Sequence, residues 1–238
     1  MQTRDIDYAA DGAILRGHLA FDEGAGRRPG VLVFHEGLGL GDFAVEKARQ
    51  LASLGYVALA ADMFGERLQA RNLQEVAMLV GGLRAEPERL RARGMAALVT
   101  LAALPQVDRG RTAAIGFCFG GSVVLELARS GADLRAVVSF HGVLATKLPA
   151  AEGQVKASIL VLTGAEDPLA PPDQVVAFKD EMRAAKVGDW QVDSYGNTLH
   201  GFANPAADGS MMRTALYHAQ SDRRSWAAMK SFFAEVLA

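Results

Sequence analysis

Polar and apolar residues alternate through Arg4–Tyr8 and again through Ile14–Phe21, with Asp11-Gly12 between them. This pattern predicts an amphipathic hairpin closed by a tight turn. From Gly30 onward the pattern changes. Gly30–His35, Tyr56–Ala61, Thr112–Gly116, Arg135–Phe140 and Ser158–Thr163 are short apolar runs, and Trp190–Tyr195 reads as a further strand. Between them, helical spacing marks Phe43–Leu54, Glu86–Leu104, Phe119–Arg129 and Asp173–Ala185. Pro87 stands early in the second of these helices, where its fixed φ suits a first turn. Lys179, Arg183 and Lys186 stand toward the C-terminal end of the fourth, as the helix dipole favours. Thr214–Val236 predicts a long closing helix with a break near Ser221, while Gly65–Arg84 fits either a helix or an excursion over the sheet edge. Continuous apolar strands alternating with helices imply a mostly parallel sheet of about eight strands with helices on both faces and an antiparallel start.

The chain has 238 residues, half of them hydrophobic and 22% charged, enough to bury one core. No repeat, linker or low-complexity segment divides it, so residues 1–238 are expected to form a single domain. Lys and Arg total 25 against 27 Asp and Glu, for a net charge of -2 and no long basic run. Nucleic acid is therefore not an expected partner. The N-terminus carries acids where a signal peptide needs an apolar stretch. The longest apolar run, Met95–Leu104 with Thr100 inside it, is about half the length of a membrane span. One cysteine excludes an internal disulfide and any multi-cysteine metal site, and a lone thiol suits a reducing compartment. The expectation is a cytoplasmic monomer acting on a small molecule, without membrane or nucleic-acid partner and without a cofactor.

In a sheet of this kind, ligands sit beyond the carboxyl ends of the strands. There the strand Thr112–Gly116 runs into Gly116-Phe117-Cys118-Phe119-Gly120-Gly121 and then a helix. That is the G-x-S-x-G nucleophile elbow of the α/β-hydrolase fold, with cysteine at the nucleophile position. A nucleophile on so tight a strand-to-helix turn needs glycine two residues to either side, and Gly116 and Gly120 stand there. The helix N-terminus behind Cys118 favours a thiolate. The competing reading is a buried, inert thiol.

An elbow also needs an acid and then a histidine, in that chain order. The strand Ser158–Thr163 leads into Gly164-Ala165-Glu166-Asp167-Pro168, and Trp190–Tyr195 leads into Gly196-Asn197-Thr198-Leu199-His200. Asp167 would hold the His200 tautomer, and His200 would face Cys118. Glu166 is the neighbouring alternative; Asp167 is preferred because three residues from Gly164 suit a turn that returns the carboxylate over the strand end. The loop after Phe34 reads His35-Glu36-Gly37, and the Gly37 and Phe119 amides are the expected oxyanion donors. A carboxylate at Glu36 opposes an oxyanion there, so it reads either as a resting acceptor for the Cys118 proton or as a solvated loop acid. His35 and His141 follow strands and either line the pocket or are structural; His18 and His218 read as structural or surface residues.

The segments Val31-Leu32-Val33-Phe34-His35-Glu36-Gly37, Asp62-Met63-Phe64-Gly65, Gly116–Gly121 and Leu199-His200-Gly201-Phe202 resemble the dienelactone hydrolase family, from roughly Ile14 to the C-terminus. The Glu36 and Cys118 combination is the most specific part, because ordinary α/β-hydrolases use serine and lack that glutamate. The resemblance implies a Cys-His-Asp triad, a glutamate that engages the thiol until substrate binds, and hydrolysis of enol-lactones from aromatic breakdown. Well-studied members carry an arginine four residues after the catalytic histidine that grips the substrate carboxylate. Here that position is Asn204, which implies weaker selection of anionic lactones and activity on neutral esters. Arg67 and Arg71 stand near another arginine of the family and are candidate substrate contacts; the competing reading is two solvated helix arginines.

Two rival readings remain. Gly39-Leu40-Gly41-Asp42-Phe43-Ala44 matches G-x-G-x-x-A between a strand and a helix, and Asp62 closes the next strand. That approximates a nicotinamide dinucleotide fingerprint, although Glu36, Gly37 and Leu38 separate the first glycine from the strand. The other rival is a non-enzymatic thiol sensor, for which no second cysteine is present to resolve an oxidised Cys118.

Overall fold

The alternating N-terminal segments form β1 (Gln2–Ala10) and β2 (Ala13–Phe21), an antiparallel hairpin turned by Asp11 and Gly12, both at positive φ. The computed structural model describes residues 1–24 and 26–238. The remaining strands are β3 (Arg28–Phe34), β4 (Val57–Ala61), β5 (Val107–Phe117), β6 (Ala136–Phe140), β7 (Ser158–Gly164) and β8 (Trp190–Tyr195). They form one sheet in the order β1-β2-β4-β3-β5-β6-β7-β8. From β4 to β8 every neighbouring pair is parallel, while β2 meets β4 antiparallel. This is the α/β-hydrolase-like sheet that the apolar runs predict. β5 begins earlier than its apolar run because Val107 and Asp108 pair with Arg28 and Pro29 ahead of a register shift at Gly30.

The strand alternation divides the core. Leu32 and Phe34 of β3 point to one face, where they pack with Leu98, Leu101, Val123, Leu127 and Phe178. Val31 and Val33 point to the other, with Ala48, Leu51, Met229 and Phe233. Thus α3 (Pro87–Ala102), α4 (Phe119–Arg129) and α5 (Pro172–Ala184) cover the first face, and α1 (Asp42–Ser53) and α6 (Ala219–Val236) the second.

The ambiguous stretch Gly65–Arg84 resolves into a short irregular segment followed by α2 (Leu73–Ala85). Asn72 caps α2 by accepting from the Glu75 amide at 2.9 Å, and Glu75 Oε2 accepts from the Arg71 amide at 2.9 Å. The expected closing helix begins later than Thr214. Ala215 instead forms an isolated bridge with His200, and the Leu216 amide donates to His200 O at 2.9 Å, so the helix begins only after His218. There is no break near Ser221, which lies in the first turn and donates its amide to His218 Nδ1 at 3.2 Å. Among the described residues, no helix is long and apolar enough to cross a membrane.

Candidate active site

β5 delivers Cys118 to the N-terminus of α4 in a conformation rare for a residue with a side chain, φ 53° and ψ −111°. The surroundings enforce it. A Cβ on Gly116 would fall 2.0 Å from Gly120 O, and one on Gly120 would fall 2.2 Å from Phe34 O. The Cys118 amide donates to Phe140 O at 3.0 Å and to His141 Nδ1 at 3.1 Å, so strand pairing and a buried imidazole fix the turn from below.

β7 and β8 deliver the next two groups. His200 Nδ1 lies 2.8 Å from Asp167 Oδ2, and both side chains are buried. Asp167 Oδ1 accepts from the Leu169 amide at 2.8 Å, which orients the carboxylate. Glu166, the neighbouring acid, is exposed. A Cβ on Gly164 would meet Thr198 O at 2.3 Å, so glycine there lets the two strand ends approach. His200 Nε2 is buried and makes no well-formed hydrogen bond among the described residues. Burial opposes a charge on this ring, but the nearby Cys118 sulfur and Asp167 outweigh it, and the pKa is pushed up to about 10. A ring that holds its proton at neutral pH can balance a negative charge on the neighbouring sulfur.

Gly37 and Phe119 line the same cavity as Cys118, and neither amide donates to any described group. Two free N–H groups beside a nucleophile are what an oxyanion hole requires. Glu36 lines the same cavity. Its Oε2 accepts from Asn204 Nδ2 at 2.5 Å, and the expected hydrogen bond to the Cys118 thiol is not made. Burial pushes the Glu36 carboxyl up to about 6, against the Asn204 bond and the His200 and Lys47 charges. Lys47 is itself buried, 3.8 Å from Asp222 Oδ1 and with its ammonium over the Trp226, Phe43 and Phe117 rings.

The cavity measures about 360 Å³, within the range of small-molecule sites. Leu73, Val76, Val80 and Arg84 of α2 form one wall, and Met211 and Met212 stand on another. The sequence does not mark Arg84, because residues 65–84 fit a helix or a loop equally well; once α2 is in place, spacings of three, four and four from Leu73 put it on the same helical stripe.

Several expected contacts lie elsewhere. Arg67 pairs with Asp5 on the surface and Arg71 is exposed on the approach to α2; neither lines the cavity. Their place follows from Asp62, whose carboxylate takes up the Arg67 amide at 2.8 Å and so turns this segment outward. His35 and His141 are buried beneath the cavity rather than in its lining. His35 Nε2 accepts from the Met63 amide at 3.1 Å. His141 packs edge-on to His200, and burial together with the His200 charge holds it well below the ordinary histidine range. The glycine fingerprint is closed by the chain itself. The space a Cβ on Gly39 would occupy lies 2.3 Å from Leu68 O, and Gln69 Nε2 donates to Leu40 O at 2.8 Å. Asp62 is spent on the Arg16, Phe64, Gly65 and Arg67 amides and has no free oxygen for a ribose.

Residues 15–237 match the dienelactone hydrolase family. The chain belongs to that family. A solved structure titled m3DLH is 44% identical, with a TM-score of 0.94 over 100% of this chain and 99% of that one. The dienelactone hydrolase-like promiscuous phosphotriesterase P91, from metagenomic libraries, is 42% identical, with a TM-score of 0.93 over 100% of this chain and 99% of that one. An uncharacterized protein of Caenorhabditis elegans is 37% identical over 153 residues, 63% of this chain and 96% of the relative. The chain is accordingly a hydrolase of this family, and the comparisons lend no support to the dinucleotide and thiol-sensor readings.

Proposed function

We propose that the protein hydrolyses carboxylic esters or lactones through an acyl-thioenzyme on Cys118. The observation that carries this reading is His200, with Nδ1 on Asp167 and the sulfur of an elbow cysteine beside the ring. The Cys118 proton rests on His200 Nε2 before attack, and Sγ attacks the substrate carbonyl as the thiolate of that pair. The Phe119 and Gly37 amides hold the oxyanion. Collapse breaks the ester C–O bond, and His200 returns the proton to the departing oxygen. Water, deprotonated by the same imidazole, then cleaves the thioester and frees the acid and Cys118. Asp167 keeps the imidazole in the required tautomer throughout.

In this reading Glu36 and Asn204 act as a pair. Asn204 Oδ1 accepts from the Ala206 amide at 2.9 Å, which turns its Nδ2 toward Glu36. Asn204 is thus occupied with Glu36 and is not a free grip for a substrate carboxylate. The mainly apolar walls suit the carbon skeleton of the substrate around the scissile bond. A neutral phosphotriester makes the same demands on nucleophile and oxyanion donors, and the similarity to P91 favours including one in any screen. The test is a panel of esters, lactones and phosphotriesters with wild type and Cys118→Ala. The expected loss is at least ~10³-fold for every accepted substrate. Retention of most activity in the alanine variant overturns the assignment.

A further inference from the structure

The buried or nearly buried arginines Arg91, Arg93 and Arg129 face carboxylates: Glu126 at 2.7 Å, Asp11 at 3.0 Å and Glu181 at 2.8 Å respectively. Arg84 differs. It is half-buried and forms no ion pair with any described residue. Among the described residues its one side-chain hydrogen bond is from Nη2 to Ser122 Oγ at 3.0 Å, and Ser122 Oγ is already committed to Val143 O at 2.9 Å. The rest of the guanidinium fork is open. The Cys118 sulfur across the reactive cavity favours the Arg84 charge, but burial outweighs it and holds the Arg84 pKa below its ordinary value, a cost that a bound anion would relieve.

Arg84 and Val143 also separate two cavities. One holds Cys118 and His200. The second, of about 280 Å³, is lined by Arg84 and Lys147 together with Ser122 and Thr146, over an apolar base that includes Leu90. Glu126 also lines it, but Glu126 is engaged by Arg91 and by Arg129, the latter at 3.1 Å. The charge left over in this cavity is positive. Asn204 lines only the reactive cavity, so the second one lies apart from the position at which well-studied family members carry their arginine.

We propose that the second cavity is an anion subsite, taking a terminal carboxylate on one arm of the substrate while the scissile carbonyl lies at Cys118. Arg84 grips the carboxylate through its free fork, and Lys147 draws it in. This inference rests on the ester-hydrolase reading and specifies the substrate within it: an ester or lactone with an anionic arm long enough to pass Arg84.

Two matched pairs test it, one with the carboxylate on the acyl arm and one on the alcohol arm. The first is para-nitrophenyl hydrogen glutarate beside para-nitrophenyl methyl glutarate. The second is the acetate ester of para-hydroxybenzoate beside that of methyl para-hydroxybenzoate. In at least one pair, wild type should favour the carboxylate by about ten- to a hundredfold in kcat/KM, chiefly through KM. Arg84→Gln should bring the ratio near one, Arg84→Lys should keep part of it, and Lys147→Gln should lower it and weaken its dependence on salt. No preference in either pair, or a preference that survives Arg84→Gln, overturns the subsite. If wild type cleaves neither member of either pair, the ester-hydrolase reading fails instead. The subsite is then judged by titrating glutarate calorimetrically into wild type and Arg84→Gln, both checked for native circular dichroism. Binding that the substitution abolishes supports it, and absence of binding to wild type overturns it.

Discussion

Glu36→Gln should stabilise the protein at alkaline pH while leaving it unchanged near pH 4. The Glu36 carboxyl is raised from its ordinary 4.5 to about 6, with burial the largest cause. At 1.36 kcal/mol per pH unit, that difference is about 2 kcal/mol of stability. The sign follows from which state ionises first. Below about pH 4.5 both folded and unfolded chains hold the proton, and the carboxyl contributes no penalty. As pH rises toward 6 the unfolded chain releases the proton first, so wild type loses stability; above the folded value the loss is complete. Glutamine never ionises, and its carbonyl oxygen can still accept from Asn204 Nδ2, so the variant escapes the loss. For a chain of this length about 2 kcal/mol corresponds to roughly 4–8 °C in Tm. Paired urea or thermal denaturation of both proteins at about pH 4 and pH 8 measures the difference. An equal difference at both pH values, or a less stable variant at pH 8, would refute the reasoning. If Glu36 serves turnover, the same variant should be slower with every substrate, a gain of stability set against a loss of activity.

Asp167→Asn should lower kcat/KM by about 10³-fold or more, because the amide no longer selects the His200 tautomer; steady-state kinetics with an unchanged far-ultraviolet spectrum checks this, and activity within tenfold of wild type would count against Asp167. Gly120→Ala should abolish the native elbow, since its Cβ would lie 2.2 Å from Phe34 O and 2.8 Å from His35 O; soluble expression with wild-type Tm would contradict the packing described. Arg129→Met should destabilise the chain by about 3–5 kcal/mol, because Glu126 and Glu181 lose a buried partner, and urea denaturation gives the value. A loss under about 1 kcal/mol would mean that the two carboxylates find other partners.

The parts legible in the sequence are those that local pattern alone determines. Strands buried on both faces write continuous apolar runs, so β3, β4, β6 and β7 can be placed within a residue or two. The elbow is legible because glycine is required at positions 116 and 120 whatever the rest of the chain does. Asp167 and His200 are legible because each follows a recognisable strand in the order the fold demands. What escaped depends on tertiary partners. The segment 214–218 has helical spacing, but the bridge between Ala215 and His200 takes those residues away from α6. The outward course of Arg67 depends on Asp62 gathering backbone amides, which no spacing reveals. Nothing in the spacing of α1 sets Lys47 apart; only the fold brings Trp226 and Asp222 of α6 over it. Arg84 required the face of α2 to be known before its place could be read.

The acyl-thioenzyme mechanism requires a covalent acyl group on the single thiol. The most direct measurement is rapid acid quenching during turnover of para-nitrophenyl acetate, followed by peptide mapping by mass spectrometry. The account predicts an acetyl group on the peptide carrying Cys118, removable by neutral hydroxylamine as a thioester is, and absent from Cys118→Ala. Full turnover with an unmodified Cys118 peptide, or an acetyl group retained elsewhere in an active Cys118→Ala protein, would contradict it.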